Sequence, residues 1–449
     1  MTDAAAPSGL AARRAALTLL VRQERARPPL DQMLERAESD GGALAGLPPA
    51  ERAFARRLVL TVLRRYGEIN FLLRRFMERP LPGEAAEVRA ALRLGLAQLL
   101  FLEVPPQAAV DTSVRLIRTG PAAGQRFAGL VNAILRRAGR EGASLLTPAT
   151  AARRNTPPWL WQSWAARWDE ATATSIAAAH LVEPPLDLTP RDAAATPTLA
   201  TQLAATILPT GSLRLMRPGA IGALPGYDTG QWWVQDAAAA LPARLLGDVA
   251  GQRIADLCAA PGGKTLQLAA AGGRVTAVDR DRGRLDRLAA NLARTGLAAR
   301  LVTADLLTTD TAAWAPRQGF DSVLLDAPCT ATGTLRRHPD IAGRRSAADV
   351  AERTVLQAEL LRAAARLVRP GGRLVYTVCS LQAEEGPDVI SAFLRADRAF
   401  ARRPIGSAEV GGEAAFISPQ GDLTTLPCHW SALGGLDGFY AARLVRTAA

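Results

Sequence analysis

From residue 226 onward, five short apolar runs (253–259, 274–279, 300–305, 321–327 and 373–379) alternate with stretches of helical period such as 281–295 and 347–368. Apolar runs of this length, bounded by turn residues, read as parallel strands buried on both faces. Strand–helix alternation then leaves few solutions besides a doubly wound sheet. That solution also fixes where chemistry can sit, because ligands in open α/β sheets bind beyond the carboxyl ends of the strands. In this chain the reactive side chains gather at those ends.

Two of them are thiols. Cys329 ends Leu324-Leu325-Asp326-Ala327-Pro328-Cys329, and Cys379 ends Leu374-Val375-Tyr376-Thr377-Val378-Cys379. Delivered from separate strands, they could meet over one substrate. A thiolate is a strong nucleophile at carbon, and an electron-poor pyrimidine ring can accept one. Pro328 fixes φ and removes a donor, which stiffens the turn that carries Asp326 and Cys329.

The first run leads into Asp256-Leu257-Cys258-Ala259-Ala260-Pro261-Gly262-Gly263-Lys264-Thr265. Glycines between a strand and a helix let backbone N–H groups approach a polar or anionic ligand. The spacing is neither GxxxxGK[ST] nor GxGxxG, which argues against a P-loop and against a nicotinamide site. The second run ends at Asp279 and the third at Asp305. An acidic residue about 20 positions after a glycine turn commonly binds ribose hydroxyls, and a second carboxylate on the next strand could read an adenine amino group. Each signal alone fits a surface turn; three in order point to an adenosine-type cofactor.

Other residues read more plainly. Cys258 has a packing explanation, as buried free cysteines often do. Cys428 and His429 are sequence neighbours whose side chains point apart on an extended chain. The loop from Gly333 through Arg336-Arg337-His338-Pro339-Asp340 could contact substrate phosphates.

The net charge of +12 favours a polyanionic partner. Residues 1–141 hold 22 arginines against 14 carboxylates, a net of +8, so most of the excess lies far from the cysteines. Arginine bias from a GC-rich genome contributes but does not explain that asymmetry. Lys264 is the only lysine in the chain, which suggests a need for a compact ammonium. Four cysteines without CxxC pairing disfavour a disulfide framework or a zinc site. No run approaches the ~18 apolar residues of a membrane span, and residues 1–9 lack a secretory pattern. The expectation is a monomer in a reducing cytoplasm, with RNA as partner and neither membrane nor metal.

Residues 1–142 read as helical, with apolar residues at three- and four-residue intervals over 53–76, 87–102 and 110–117. Arginine pairs (Arg56-Arg57, Arg64-Arg65, Arg74-Arg75, Arg136-Arg137) lie within or at the ends of these helices. Any one pair suits a solvated face; together they favour RNA binding. Residues 143–225, with four tryptophans between Trp159 and Trp168, read as a small α/β module, and 226–449 as a Rossmann-like domain. Tryptophans at that spacing more often pack helices than stack bases.

The glycine loop over 255–265, Asp326–Cys329 with the following Thr332–Ile341, and Thr377–Ser380 resemble the RNA (cytosine-C5)-methyltransferases of the NOL/NOP2/Sun family. Ala108-Ala109-Val110 and the stretch 129–136 are similar to the NusB-like helical domain of the bacterial 16S rRNA branch. Trp233-Val234-Gln235-Asp236 and Asp437-Gly438-Phe439-Tyr440 match its other signatures, so the resemblance spans nearly the whole chain. It implies an all-α NusB-like front, a small α/β middle module and a C-terminal Rossmann-like S-adenosylmethionine-dependent methyltransferase domain. It makes Cys379 the nucleophile, Cys329 the assistant in product release and Asp326 the partner of the cytosine ring. Cys258, Ala259, Ala260, Pro261, Gly262, Gly263, Lys264, Asp279, Asp305 and Asp326 would hold the cofactor, and 16S rRNA would be the substrate. The pattern departs at Leu188-Thr189-Pro190-Arg191, where Arg-x-Asn is usual, and at Ala342-Gly343, where Lys-Trp is common. A tRNA substrate and a non-enzymatic NusB-like RNA-binding factor remain the alternatives; the second would need neither thiol.

Overall fold

The computed structural model describes residues 9–216 and 218–447, so the first eight residues of the expected front domain and the last two of the C-terminal one lie outside the described residues. The chain forms two compact units. One gathers the chain up to Ala165 with Glu170–Leu181 and His338–Arg344; the other holds Ala166–Asp169, Val182–Arg337 and the chain from Arg345 on.

The first unit is helical: α1 (Leu10–Ala26), α2 (Leu30–Glu38), α3 (Pro49–Arg64), α4 (Tyr66–Phe76), α5 (Ala86–Phe101), α6 (Pro106–Arg118), the short α7 (Ala122–Gln125), α8 (Ala128–Leu145), α9 (Pro148–Asn155), α10 (Pro158–Arg167) and α11 (Glu170–Ala179). Prolines at the first turns of α3, α6 and α9 supply a preset φ where an N–H has no helical partner. Helix α5 is apolar on most sides and touches α1, α3, α4, α6 and α8, which makes it the axis of the core. A Cβ on its Gly95 would come within 2.5 Å of Leu135, so glycine is what lets α8 approach.

Two expectations shift here. The single helical segment over 53–76 breaks at Arg65, and α4 starts anew because Asn155 Oδ1 accepts the Gly67 and Glu68 amides at 2.9 and 3.1 Å. The expected limit at residue 142 falls inside α8, and α9 to α11 pack with the front helices. Of the tryptophans, Trp161 and Trp164 are buried; Trp161 donates to Glu170 at 3.0 Å and Trp164 packs on the His180 ring, as helix-packing residues do.

The second unit carries two sheets. β1 (Leu186–Pro190), α12 (Thr196–Leu203), β2 (Thr206–Ile207), β3 (Leu213–Leu215) and β4 (Trp232–Val234) form a small antiparallel module in strand order β2-β3-β1-β4. It runs past residue 225 because β4 pairs with β1, Thr189 opposite Trp233. The main sheet follows: α13 (Leu241–Arg244), β5 (Arg253–Leu257), α14 (Gly263–Ala270), β6 (Arg274–Asp279), α15 (Arg282–Thr295), β7 (Arg300–Thr303), β8 (Phe320–Asp326), α16 (Ile341–Arg344), α17 (Ala347–Arg366), β9 (Val368–Val378), α18 (Pro387–Ala396), β10 (Phe400–Arg402), β11 (Leu423–Thr425) and β12 (Phe439–Arg446), with α16 belonging to the first unit. Strand order is β10-β12-β9-β8-β5-β6-β7, with β11 on β12.

All five apolar runs are parallel neighbours in this sheet, and the pairings β8–β5 and β8–β9 place the ends of β5, β8 and β9 side by side. β12 inserts antiparallel beside β9, Tyr440 opposite Val378, so the sheet is mixed and the 437–440 motif arrives next to Cys379. The run Phe-Tyr-Ala-Ala-Arg-Leu-Val-Arg is rich in helix formers, which hides a strand from composition.

Candidate active site

Asp326 closes β8 and Val378 closes β9, paired as neighbours, so the turns that follow leave the sheet together. They bring Cys329 Sγ to 3.4 Å from Cys379 Sγ. Both thiols are half-buried and unbridged. The two turns are laced by backbone: Gly333 donates to the Cys379 carbonyl at 3.0 Å, and Gly438 to the Gly333 carbonyl at 2.8 Å. A Cβ on Gly333 would sit 1.9 Å from the Gly438 carbonyl oxygen, so glycine there is a requirement of close approach. Hydrogen bonding to Cys379 first, then burial, then the charges of Cys379 and Glu385 push the Cys329 thiol well above the ordinary thiol range.

The glycine turn lies at the end of β5, next to β8. Cys258 and Gly262 both take left-handed backbone, with φ of 58° and 109°. Asp279, at the end of β6, is buried and accepts the Ala260 amide at 3.1 Å, so it shapes the turn as well as facing it. The Asp305 carboxylate accepts the Leu307 amide at 2.9 Å. Burial, then the charges of Asp279, Asp326 and Asp256, push the Cys258 thiol up to about 12, which leaves it a packing group and no nucleophile.

Lys264, in the first turn of α14, is buried, with Nζ 2.7 Å from Asp326 Oδ2 and 5.3 Å from the centre of the Phe439 ring. Burial opposes its charge, but the charge and hydrogen bond of Asp326 outweigh it, and the ammonium is held more firmly than usual. Asp326 keeps a third of its side chain exposed. Behind them Asp256 is fully buried; it accepts from Thr265 at 2.5 Å, and its other oxygen has no hydrogen-bond partner among the described residues. Burial pushes that carboxyl up to about 7.

The arginine pair expected to contact phosphates is committed elsewhere. Arg336 bridges Asp437 at 2.8 Å and Asp236 at 3.3 Å; Arg337 bridges Asp236 at 2.6 Å and Asp437 at 3.2 Å. Arg336 is 2% and Arg337 23% exposed, and both guanidinium groups are spent on two buried carboxylates instead of standing out as a phosphate surface. The quartet joins three motifs far apart in sequence: 233–236, 332–341 and 437–440. His338 belongs to the first unit, with Nδ1 3.4 Å from Asp31. His429 stacks on Phe416 and accepts the Leu426 amide at 3.2 Å, and burial lowers its basicity; with Cys428 it is structural.

Comparison with known proteins gives two family matches. Residues 243–445 match the 16S rRNA methyltransferase RsmB/F family, and residues 10–140 match the NusB family. Ribosomal RNA small subunit methyltransferase B of Sodalis glossinidius is 38% identical over 435 residues, covering 92% of this chain and 95% of that protein. The chain belongs to the RsmB/F methyltransferase family. The protein of the same name from Xanthomonas campestris is 38% identical over 419 residues, covering 90% and 91% of the two chains. In fold, the crystal structure of PH0851 matches with a TM-score of 0.74 at 22% identity, covering 99% of this chain and all of the other. NSun6 from Pyrococcus horikoshii, solved with SFG, matches with a TM-score of 0.55 at 18% identity, over 65% of this chain and 99% of that one. Family membership makes the chain an RNA methyltransferase with a NusB-like front and a Rossmann-like C-terminal domain, and S-adenosylmethionine its expected cofactor.

The residues present fit that cofactor. Its sulfonium is a cation, and the ends of β6 and β8 and the turn after β7 supply the carboxylates of Asp279, Asp326 and Asp305. Carboxylates on successive strands suit hydroxyl and amino donors, and amides opening α14 suit a carboxylate. Sequence reasoning did not single out the Asp236–Asp437 pairing or the buried Glu385, which ties the two cysteine turns together. A Cys-Thr and a Cys-Ser dipeptide, each placing a hydroxyl after a thiol, were the only trace of Glu385. Among the described residues, no group of His, Cys, Asp or Glu is arranged to hold a metal, and no helix is long and apolar enough to cross a membrane.

Proposed function

We propose that this enzyme methylates C5 of a cytosine in RNA, in small-subunit (16S) rRNA, through a covalent bond from Cys379 to C6 of the ring. The observation that carries the reading is the thiol pair 3.4 Å apart, at the ends of adjacent parallel strands, with the Lys264–Asp326 pair at the ends of the same sheet. C5 of cytosine is a poor carbon nucleophile. When the Cys379 thiolate adds to C6, the C5–C6 double bond becomes enamine-like and C5 gains the electron density it lacked. Asp326 partners the N3 edge of the ring, and the Lys264 ammonium beside it balances the charge that builds during addition. Cys258–Lys264, Asp279 and Asp305 hold S-adenosylmethionine, which when bound supplies an electrophilic methyl group. Release needs loss of the C5 proton to a base and cleavage of the C6–S bond, with Cys329 assisting beside the departing sulfur.

The target base must leave its stack, which single-stranded or looped RNA makes easiest. The arginine-rich front domain supplies affinity for the phosphate backbone. A reducing cytoplasm keeps both thiols free. The names of the relatives support rRNA over tRNA.

Cys379→Ala should abolish methyl transfer with cofactor affinity nearly intact. Cys329→Ala should accumulate a protein–RNA adduct that survives a denaturing gel. Wild-type turnover in the first, or an adduct formed by the first and not the second, reverses or removes these roles. Bisulfite sequencing of total RNA from a deletion strain reads the substrate: a protected cytosine lost from tRNA instead of 16S rRNA would overturn that assignment.

A further inference from the structure

The helical unit holds a cavity of 390 Å³ that the thiol chemistry does not use. Leu20, Val62, Leu63 and Pro157 give it apolar walls, and the segment from Pro339 to Arg344, which continues the chain from the Cys329 turn, completes it. Most polar groups around it are spent. Asn155 donates to Glu68 at 2.7 Å and accepts the Gly67 amide; Glu24 holds Arg89 and Arg93 at 2.6 and 2.5 Å, and Arg93 lies 4.8 Å from the centre of the Tyr66 ring. Two acceptors are not. Gln23 is 8% exposed, and its Oε1 has no hydrogen-bond partner among the described residues. Asp340 is 4% exposed; its Oδ2 accepts the Leu30 amide at 3.2 Å and Arg344 at 2.9 Å, while its Oδ1 has no such partner among the described residues. Buried acceptors are costly to leave unpaired, so two of them in one cavity point to a ligand that brings donors.

The other groups narrow the ligand. Arg27 and Arg344 also line the cavity, and Arg27 donates to the Gly343 carbonyl at a long 3.5 Å. Both would repel a cationic donor, so the donor is neutral. Apolar walls with a few convergent polar groups suit a flat ring. Guanine combines these demands: N1–H and the 2-amino group are neighbouring donors on one edge, and O6 and N7 on another are the acceptors that arginine commonly grips. Adenine and cytosine offer an amino donor beside a ring acceptor, and uracil a single imino donor. In unstacked RNA such edges are free to be read. We propose that this cavity takes an unstacked guanine of the substrate RNA, with Asp340 Oδ1 and Gln23 Oε1 accepting from its N1–H and 2-amino edge and an arginine meeting O6 and N7. The proposal rests on the RNA-methylation reading for the source of the base, and adds a recognition site outside the catalytic sheet.

The test is fluorescence anisotropy on the full-length protein with labelled RNA heptamers, all uridine except for guanosine, inosine or adenosine at the centre. Wild type should bind the guanosine heptamer about tenfold tighter than the adenosine one. Inosine lacks the 2-amino group and should bind about fivefold more weakly than guanosine. Gly343→Trp fills the cavity: the residue lies in α16, and a Cβ there meets nothing within 4 Å. It should abolish the guanosine preference and leave the adenosine affinity unchanged. Gln23→Met keeps the length, removes one acceptor and should narrow the preference. Equal affinity for guanosine and adenosine in wild type overturns the proposal and leaves the cavity to a peptide donor or to water. So does a preference that survives Gly343→Trp or, should that protein fail to fold, one that Gln23→Met leaves intact. Displacement of the guanosine heptamer by an equal concentration of GMP overturns RNA as the source and makes this a free-nucleotide site. Because no heptamer contains cytosine, guanine selectivity in a protein that forms no methylcytosine would sink the substrate reading and leave the cavity assignment standing; cytosine methylation without guanine selectivity does the reverse.

Discussion

Asp236→Asn should destabilise the C-terminal unit by about 2–4 kcal/mol at pH 7. Asp236 faces Arg337 at 2.6 Å and Arg336 at 3.3 Å, and it also accepts the Asp437 amide at 3.1 Å. Burial alone would push its carboxyl up, but the two arginine charges outweigh burial and hold it at about 2, against an ordinary 3.8. That depression corresponds to about 2 kcal/mol at about 1.36 kcal/mol per unit. An uncompensated buried charge sets the other bound: with Asp236 neutral, two guanidinium groups share the single carboxylate of Asp437, and breaking a buried pair costs about 3–5 kcal/mol. An asparagine still accepts hydrogen bonds, which places the expected value between the two.

The pH dependence carries the sign. A lowered carboxyl contributes its full stability above its unfolded value and loses it as pH falls toward the folded value. The gap between wild type and Asp236→Asn should therefore shrink by roughly 1 kcal/mol between pH 7 and pH 3. Native-state hydrogen exchange of peptides from β9 and β12, at increasing urea, reports opening of this unit alone. A gap under about 1 kcal/mol at pH 7, or one that stays the same at pH 3, would refute the reasoning, because the quartet would then be solvated or self-compensating.

Two further outcomes follow from the same structure. Lys264→Met removes the ammonium from Asp326 while preserving length; methyl transfer should fall about tenfold to a hundredfold, the value of a charged hydrogen bond of about 1.5–3 kcal/mol, and unchanged kinetics would show that Asp326 needs no counter-charge. Arg74 and Arg75 are exposed on α4, whereas Arg65 is tied to Glu68 at 3.1 Å and packs on Phe101. The double substitution Arg74→Ala/Arg75→Ala should reduce the salt slope of RNA binding by about 1.4, two phosphates at about 0.7 each for single strands; an unchanged slope measured by filter binding across a salt series would remove this face from the RNA contact.

The five parallel strands of the main sheet and the residues at their ends were legible in the chain because burial on both faces writes a continuous apolar run, and ligands of such sheets bind beyond the strand ends. Cys329, Cys379, Asp326 and the glycine turn were named that way, and Lys264 as the only lysine of the chain. Local signals failed where partners are remote. Asn155 starts α4 across a long stretch of chain, and nothing near Arg65 shows it. The strand β12 is written in helix-forming residues and becomes a strand because β9 offers it an edge. Arg336 and Arg337 look like a phosphate grip until Asp236 and Asp437 arrive from distant segments to neutralise them. Glu385 is one of two adjacent glutamates in the sequence; only the fold decides that it is buried and hydrogen-bonded to the residue after each thiol. Periodicity and turn chemistry are properties of neighbours along the chain, whereas which charge meets which, and which two thiols come into contact, depends on distances set by residues far apart in it.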